Sequence, residues 1–272
     1  METFVAAIIS GLGTGAVYAL LGVGFVIIYR ATEVINFAQP ALMILGAYAS
    51  SAFVNQVGLP FWLSVVAAIV TLAAVGMLTE RIALRPMVGR PSFSAATVTV
   101  GVFIVLLIVA FRLIGPEIIT AGDPWGLSTV EVFGATVFTL DLAKVVISLV
   151  AVGAVGLFLA RSRVGLAMRA TALDQETALA QGVKVGRMFG LSWGISAGLA
   201  ALAGVLVSSG ASGVDATIAL VALKALPVII LGGLDSIKGS VIAGLIIGVA
   251  EGLTKAYQPE YAPWLGANFD LV

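Results

Sequence analysis

The sequence contains neither histidine nor cysteine. Without histidine, no side chain titrates near neutral pH at its ordinary value. His-based acid–base catalysis and imidazole ligation of a metal are therefore excluded. Without cysteine there is no disulfide framework, thiol nucleophile or thiolate site to read. Charge is scarce too: charged residues make up 10% of the chain against 60% hydrophobic, and mean hydropathy is +1.14. A soluble domain of 272 residues has too little interior to hide that much apolar surface. The first apolar run is too long for a secretory signal and lacks a basic n-region. No G-x-x-x-x-G-K-[ST] phosphate loop occurs, so the chain does not itself bind ATP through that motif.

What is present is a series of long charge-free runs: Phe4 to Tyr29, Val34 to Thr79, Pro91 to Phe111, Val145 to Ala160 and Met188 to Val214. A spanning helix needs roughly 20 apolar residues, so these runs imply several membrane crossings. The turn signal Asn55-Gln56-Val57-Gly58-Leu59-Pro60 divides the second run in two. About eight apolar segments result, near residues 4–29, 34–54, 60–80, 92–114, 142–160, 188–209, 214–231 and 239–256. The expected fold is an all-α polytopic membrane helical bundle, with one transmembrane domain over residues 1–272.

Charge is distributed unevenly among the loops. Residues 80–90 hold Arg81, Arg85 and Arg90, and residues 161–187 hold Arg161, Arg163, Arg169, Lys184 and Arg187. Between them, residues 115–141 hold Glu117, Asp123, Glu131 and Asp141 and no basic residue. Lys and Arg resist translocation, so the basic loops are expected in the cytoplasm and the acidic one outside. Counting spans then places the N-terminus, and residues 257–272, outside. The mix of Gly, Pro and β-branched residues in the acidic loop suits a small ribbon or lid, or an ordinary connector.

Glycines recur at four-residue spacing: Gly186, Gly190, Gly194 and Gly198; Gly244, Gly248 and Gly252; and Gly11 and Gly15. Stacked on one helix face, they allow close backbone approach. Packing within one subunit is the main expectation, with dimerisation or a sliding surface as alternatives. Two apparent motifs carry no chemistry. Gly194 to Gly198 matches the nucleophile elbow G-x-S-x-G, and Gly210 to Gly213 reads Gly-Ala-Ser-Gly, but both need a histidine that the chain lacks.

One polar insert stands out, residues 168–187. Thr171 followed by Asp174 resembles a capping box, and Gly182 offers a C-terminal stop. The helix between them, about ten residues long, is too short to be stable alone in water. It should rest against something, with Leu173, Thr177 and Ala180 on one face and Asp174, Glu176 and Gln181 as a polar rim. A solvated loop helix is the other reading.

An alanine-rich cytoplasmic helix, a glycine and a return into the membrane resemble the coupling loop of ATP-binding-cassette importer permeases. Gly11 to Tyr48, "GLGTGAVYALLGVGFVIIYRATEVINFAQPALMILGAY", resembles the first segments of the branched-chain amino-acid permease family, LivH-like branch. Leu223 to Leu253 resembles that family's C-terminal region. The resemblance implies docking onto an ATPase through Arg169, Thr171, Leu173, Asp174, Glu176, Leu179 and Gly182. It also implies a second permease subunit (a sister LivM-like chain), two cytoplasmic ATPase subunits and an extracytoplasmic solute-binding protein. ATP and Mg would sit on the ATPase subunits, and this chain would carry no cofactor, no metal and no catalytic residue. The implied setting is the cell membrane of a prokaryote. The implied solutes are branched-chain amino acids or related small polar molecules such as amides, urea and organic acids.

Two departures from the family stand out. Members often read Asn-Phe-Ala-His-Gly where this chain has Asn36-Phe37-Ala38-Gln39-Pro40. Relatives also continue past a Pro-Trp-Leu-Gly stretch, here Pro263 to Gly266, into one more span, which is either absent or beyond Val272.

Polar groups inside a membrane are costly and mark candidate pathways. Asn36, Phe37 and Gln39 precede Pro40, which could break the helix and free carbonyls. Lys224 and Glu251 lie within later segments, as pathway groups or as a buried structural pair. Two rivals to the importer reading remain. One is a self-sufficient carrier or channel without ATPase partners. The other is an intramembrane enzyme built on Glu251, Lys224 and Asp235, whose spacing suggests no mechanism.

Overall fold

The structure is a computed structural model that describes residues 2–115, 118–210, 212–215 and 218–261. The Pro263 to Gly266 stretch, and with it the expectation of a further span, lies outside the described residues. The chain opens with α1 (Glu2–Thr32), α2 (Gln39–Asn55) and α3 (Phe61–Thr79). A π-helical turn at Glu80–Leu84 and a 3-10 turn at Arg85–Met87 follow, then α4 (Ser92–Ile114). The acidic loop contains a two-stranded ribbon, β1 (Thr129–Val132) and β2 (Ala135–Phe138). After it come α5 (Thr139–Arg161), α6 (Arg163–Leu173), α7 (Gln175–Ala180) and α8 (Val185–Ser208). Two short helices, α9 (Ile218–Leu223) and α10 (Ala225–Gly232), lead to α11 (Ile237–Tyr261).

Among the described residues, six helices are long and apolar enough to cross a membrane: α1, α3, α4, α5, α8 and α11. The other two expected spans are shorter. Helix α2 has 17 residues, about 25 Å at 1.5 Å per residue. Segment 214–231 is broken at Lys224 into helices of 6 and 8 residues. Apolar composition reports burial, not depth. Helix α2 is apolar because Ala41, Leu42, Met43 and Ile44 lie at 0% exposure inside the protein.

The centre of the bundle is α1, buried along most of its length and apolar on every side, as expected of a core helix. It packs against α11, α8 and α5. The glycine spacing makes this possible. A methyl group on Gly11 would sit 2.7 Å from Gly248 O, and one on Gly15 would sit 2.7 Å from Gly244 O. The α1–α11 seam is therefore packing within one subunit. Gly194 and Gly198 of α8 likewise face Met77 and Ile69 of α3. Helices α4 and α5 lie at the periphery and present Ile104, Val105, Ile108, Val146 and Val150 outward, the pattern of a lipid-facing surface.

After α1 the chain reverses at Glu33, whose φ is +56°. Residues 34–38 then re-enter the bundle without helix. Helix α2 therefore starts deep inside, with Gln39 against Gly24 of α1 and Ser196 of α8. Gly24 lies eight residues, about 12 Å, from the end of α1. Pro40 does not break a helix. It occupies the first turn of α2, where its missing N–H has no intrahelical partner to lose.

The two basic loops meet at one end of the bundle, where Arg85 Nη2 donates to Gly186 O at 2.7 Å. The acidic loop closes the other end. Thr120 O accepts from Ser51 Oγ at 2.7 Å and Asn55 Nδ2 at 3.0 Å, and Asp123 Oδ2 accepts from Gly210 N at 2.8 Å. Trp125 makes edge contacts with Phe61 and Trp62. Of the readings open for this loop, a ribbon or lid or an ordinary connector, the structure has a ribbon. It turns on Phe133 and Gly134 at positive φ and buries Ala135 and Val137.

Candidate functional site

At the basic end, α6 runs through Thr171 and stops at Leu173. Thr171 was expected to open the coupling helix, but its Oγ1 donates to Ala167 O at 2.9 Å inside α6. The cap is Asp174. Its Oδ1 accepts from Glu176 N at 2.9 Å and Thr177 N at 3.0 Å, and its Oδ2 accepts from Thr177 Oγ1 at 2.5 Å. The Thr177 hydroxyl, followed by the backbone donors, holds this carboxyl below the usual aspartate range. The helix so capped is six residues long rather than about ten. It ends as expected at Gly182, with φ +83°.

The buried face also differs from expectation. Leu173, Thr177 and Ala180 are all exposed, Leu173 at 89%. The anchor is Ala178, 3% exposed and packed with Ala31, Val185 and Phe189. Helical periodicity had been extended across Asp174, whose extended backbone resets the phase between α6 and α7. As a result Leu173, Glu176 and Leu179 all project from the basic end. Arg169 donates to Ala160 O at 3.2 Å and lines a cavity of about 310 Å³ with Arg30, Met168 and Ala172.

The structure joins two of the candidate pathway residues into one network. Asn36 and Gln39 are both at 0% exposure. Asn36 Nδ2 donates to Gln39 Oε1 at 3.1 Å, and Asn36 Oδ1 accepts from Ala38 N at 3.0 Å. Ser196 Oγ donates to Gln39 Oε1 at 2.9 Å, while Gln39 Nε2 donates to Ser196 O at 3.3 Å. Phe37 joins through its backbone, its N–H donating to Thr99 Oγ1 at 3.1 Å. The approach to α2 is thus held by Thr99 of α4, which accepts from Phe37 N–H, and by Ser196 of α8, which pairs with the Gln39 side chain.

Lys224 and Glu251 form the second cluster. Lys224 Nζ lies 3.0 Å from Glu251 Oε1, Lys255 Nζ lies 2.8 Å from the same oxygen, and Tyr18 OH donates to Glu251 Oε2 at 2.6 Å. Lys224 stands in the break between α9 and α10, so this carboxylate ties a discontinuous helix to α1 and α11. Tyr18 precedes Gly24 by six residues, which sets the two clusters about 9 Å apart along α1.

Six participants are not singled out by the sequence. Ser196 was set aside with the false nucleophile motif, yet it is the partner of Gln39 inside α8. Ala178 carries no polar signal. Asp141 and Lys144, 3.6 Å apart at the start of α5, were read as loop and span residues. Glu80 and Arg85 form a two-toothed pair, Nε–Oε1 3.2 Å and Nη2–Oε2 2.7 Å, at a spacing that an α-helix does not bring together. Among the described residues no group of His, Cys, Asp or Glu is arranged to hold a metal ion.

Comparison with known proteins agrees with this architecture. The family model "Branched-chain amino acid transport system / permease component" matches residues 7–267. The high-affinity branched-chain amino acid transport system permease protein LivH of Salmonella typhimurium is 32% identical over 268 residues, covering 93% of this chain and 87% of its own. A probable branched-chain amino acid transport permease protein LivH of Methanocaldococcus jannaschii is 30% identical, covering 88% and 77%. The fructose import permease protein FruF of Bifidobacterium longum is 25% identical, covering 89% and 68%. In fold, a chain of the PsaBC–Fab complex of Streptococcus pneumoniae superposes with a TM-score of 0.50 at 16% identity, covering all of this chain and 87% of that one. These relatives are transport subunits rather than enzymes. The described geometry and the family match lead to one statement: the chain is a polytopic helical membrane protein belonging to the family of branched-chain amino acid transport system permease components.

Proposed function

We propose that this chain forms half of the solute path of an ATP-driven importer and receives its driving motion through α7. The observation that carries the reading is the display of Leu173, 89% exposed at the end of α6, and Leu179, 57% exposed on the short helix α7 that Ala178 anchors. Apolar side chains held out from a basic membrane end suit burial in a partner protein. The partners are two cytoplasmic ATPase subunits carrying ATP and Mg, a second permease of LivM-like type, and an extracytoplasmic binding protein. The basic end faces the cytoplasm, and the N-terminus faces outside with the acidic ribbon, following the charge of the loops. The setting is the cell membrane of a prokaryote.

Branched-chain amino acids are the solute class we favour, with related small polar molecules as the wider class. The Asn36–Gln39 and Lys224–Glu251 clusters stack along α1 and mark the level at which the path closes. Movement of α7 would be passed through Ala178 to the end of α1 and so to the re-entrant turn that holds Asn36 and Gln39.

The test uses the assembled transporter in liposomes, comparing wild type with Leu179→Asp and Glu176→Lys. Solute-dependent ATP hydrolysis should fall by about tenfold or more in both, a coupling loss of ordinary allosteric size. Unchanged stimulation in a properly assembled variant would sink the docking role. Uptake by this chain alone, without ATP, would instead establish a carrier.

A further inference from the structure

We propose that Glu80 and Arg85 are a positioning pair that carries displacement of α7 into α3, and so into the packed centre of the bundle. The inference rests on the coupling role of α7 proposed above. Glu80 closes the last turn of the α3 span and is 1% exposed. Arg85 holds both of its carboxylate oxygens and also donates from Nη2 to Gly186 O, in the first turn of α8 just beyond the coupling loop. One guanidinium thus joins the end of α3 to the exit of the α7 loop. Ala178 ties the same loop to α1 and α8.

Three independent features are arranged around this pair. First, residues five apart on an α-helix point about 140° away from each other, given 3.6 residues per turn. The backbone between them is widened into a π-helical turn, Glu80–Leu84, a feature frequent at functional sites. Second, half of the glycine stripe on α8 seats the pair rather than a helix. A methyl on Gly186 would lie 3.5 Å from Arg85 Cζ, and one on Gly190 would lie 3.4 Å from Glu80 Oε2. A methyl would therefore just touch the pair, and a branched side chain would press on it. Third, a cavity of about 290 Å³ lies directly alongside. Its lining includes Glu33 and Val34 of the re-entrant turn, Glu80, Gln175 of α7 and Trp193. The cavity leaves room for α7 and the turn to move relative to each other.

Stability alone does not account for the arrangement. A buried ion pair is often no better than apolar side chains of the same shape. What apolar side chains cannot supply is the directed, two-toothed hold on Glu80 combined with the hold on Gly186 O.

The decisive experiment measures solute moved per ATP hydrolysed in liposomes holding the full transporter with its ATPase subunits and binding protein. Glu80→Gln/Arg85→Met removes the charges and keeps the bulk. Hydrolysis should stay within about twofold of wild type while uptake falls about tenfold or more. Arg85→Lys, which keeps the charge and loses the fork, should fall between. Gly190→Val disturbs the seat of the pair without touching either charge and should reproduce the uncoupling, which guards against a variant that simply fails to fold. An unchanged ratio of solute to ATP would overturn the proposal. So would uptake and hydrolysis falling together in proportion to the complex recovered, since that marks a merely structural role. If wild type recovered no ATPase partner, the coupling reading itself would fall, an outcome the variants cannot mimic.

Discussion

Gly15→Ala tests whether the α1–α11 seam is what holds the bundle closed. The added methyl would lie 2.7 Å from Gly244 O and 2.9 Å from Leu245 Cα, both backbone atoms that no rotamer change can move. Restoring an ordinary 3.4 Å contact requires the two helices to part by about 0.7 Å, the difference from 2.7 Å. A gap of that size forfeits about a quarter to a half of each contact's dispersion energy. Taking about 50 contacts at about 0.1 kcal/mol along the seam, the loss is about 1–3 kcal/mol, the usual range for an overpacked site. For a chain of this size that lowers the melting temperature by about 3–10 °C. The assay is thermal unfolding in detergent or nanodiscs, with Gly153→Ala as control, because nothing lies within 4 Å of a methyl there. The control should match wild type or exceed it slightly, since alanine is the better helix former. Equal melting temperatures for Gly15→Ala and Gly153→Ala would refute the close-packing argument. A changed oligomeric state with unchanged stability would show instead that the glycines serve contact between copies.

Three further outcomes are expected. Gln39→Leu strands Asn36 Nδ2 and Ser196 Oγ in a fully buried site, and should cost about 1–3 kcal/mol in chemical denaturation; a loss below about 0.5 kcal/mol would mean that the network contributes little. Glu251→Ala removes the shared partner of Lys224, Lys255 and Tyr18 and should cost about 3 kcal/mol, whereas Lys224→Met leaves Glu251 two partners and should cost less than half as much, as a double-mutant cycle can decide. The Asp174 carboxyl is held below its ordinary range, so its cap is complete above that range and is lost as pH falls through the lowered value. The protection of residues 174–181 against hydrogen exchange, relative to the intrinsic rate at each pH, should therefore fall on acidification in wild type but not in Asp174→Asn, which keeps the acceptor and cannot titrate; the same acid dependence of protection in both would contradict this.

The long helices were legible because a run of apolar residues is the most direct signal a membrane chain carries. Helices α1, α3, α4, α5, α8 and α11 all fall within or beside the apolar segments. The same signal does not separate a full crossing from the shorter α2, whose apolar residues are buried among other helices, or from α9–α10, broken at Lys224. Pro40 is ambiguous in sequence, since a proline reads alike whether it interrupts a helix or begins one, and here it begins α2. The polar insert does hold the short helix expected of it, but its phase differs from the expected one. Thr171 and Asp174 both suit an N-cap, and only the extended backbone at Asp174 distinguishes them. Lys224 and Glu251 stood out as charges in apolar surroundings and do meet. Glu80 and Arg85 also end an apolar run, but their pairing depends on a π-helical turn that no residue in "ERIAL" announces.

The pairing of α1 with α11 also has a consequence for biosynthesis. Tyr18 and Glu251 stand 233 residues apart, so α1 finds its main neighbour only when α11 has been made. Until then the glycine face of α1 has no match, and the half-depth start of α2 waits for Ser196, 157 residues downstream. Helices α5 and α8 can pack on α1 earlier, but the seam that seats Gly11 and Gly15 is completed only at the end of synthesis of α11.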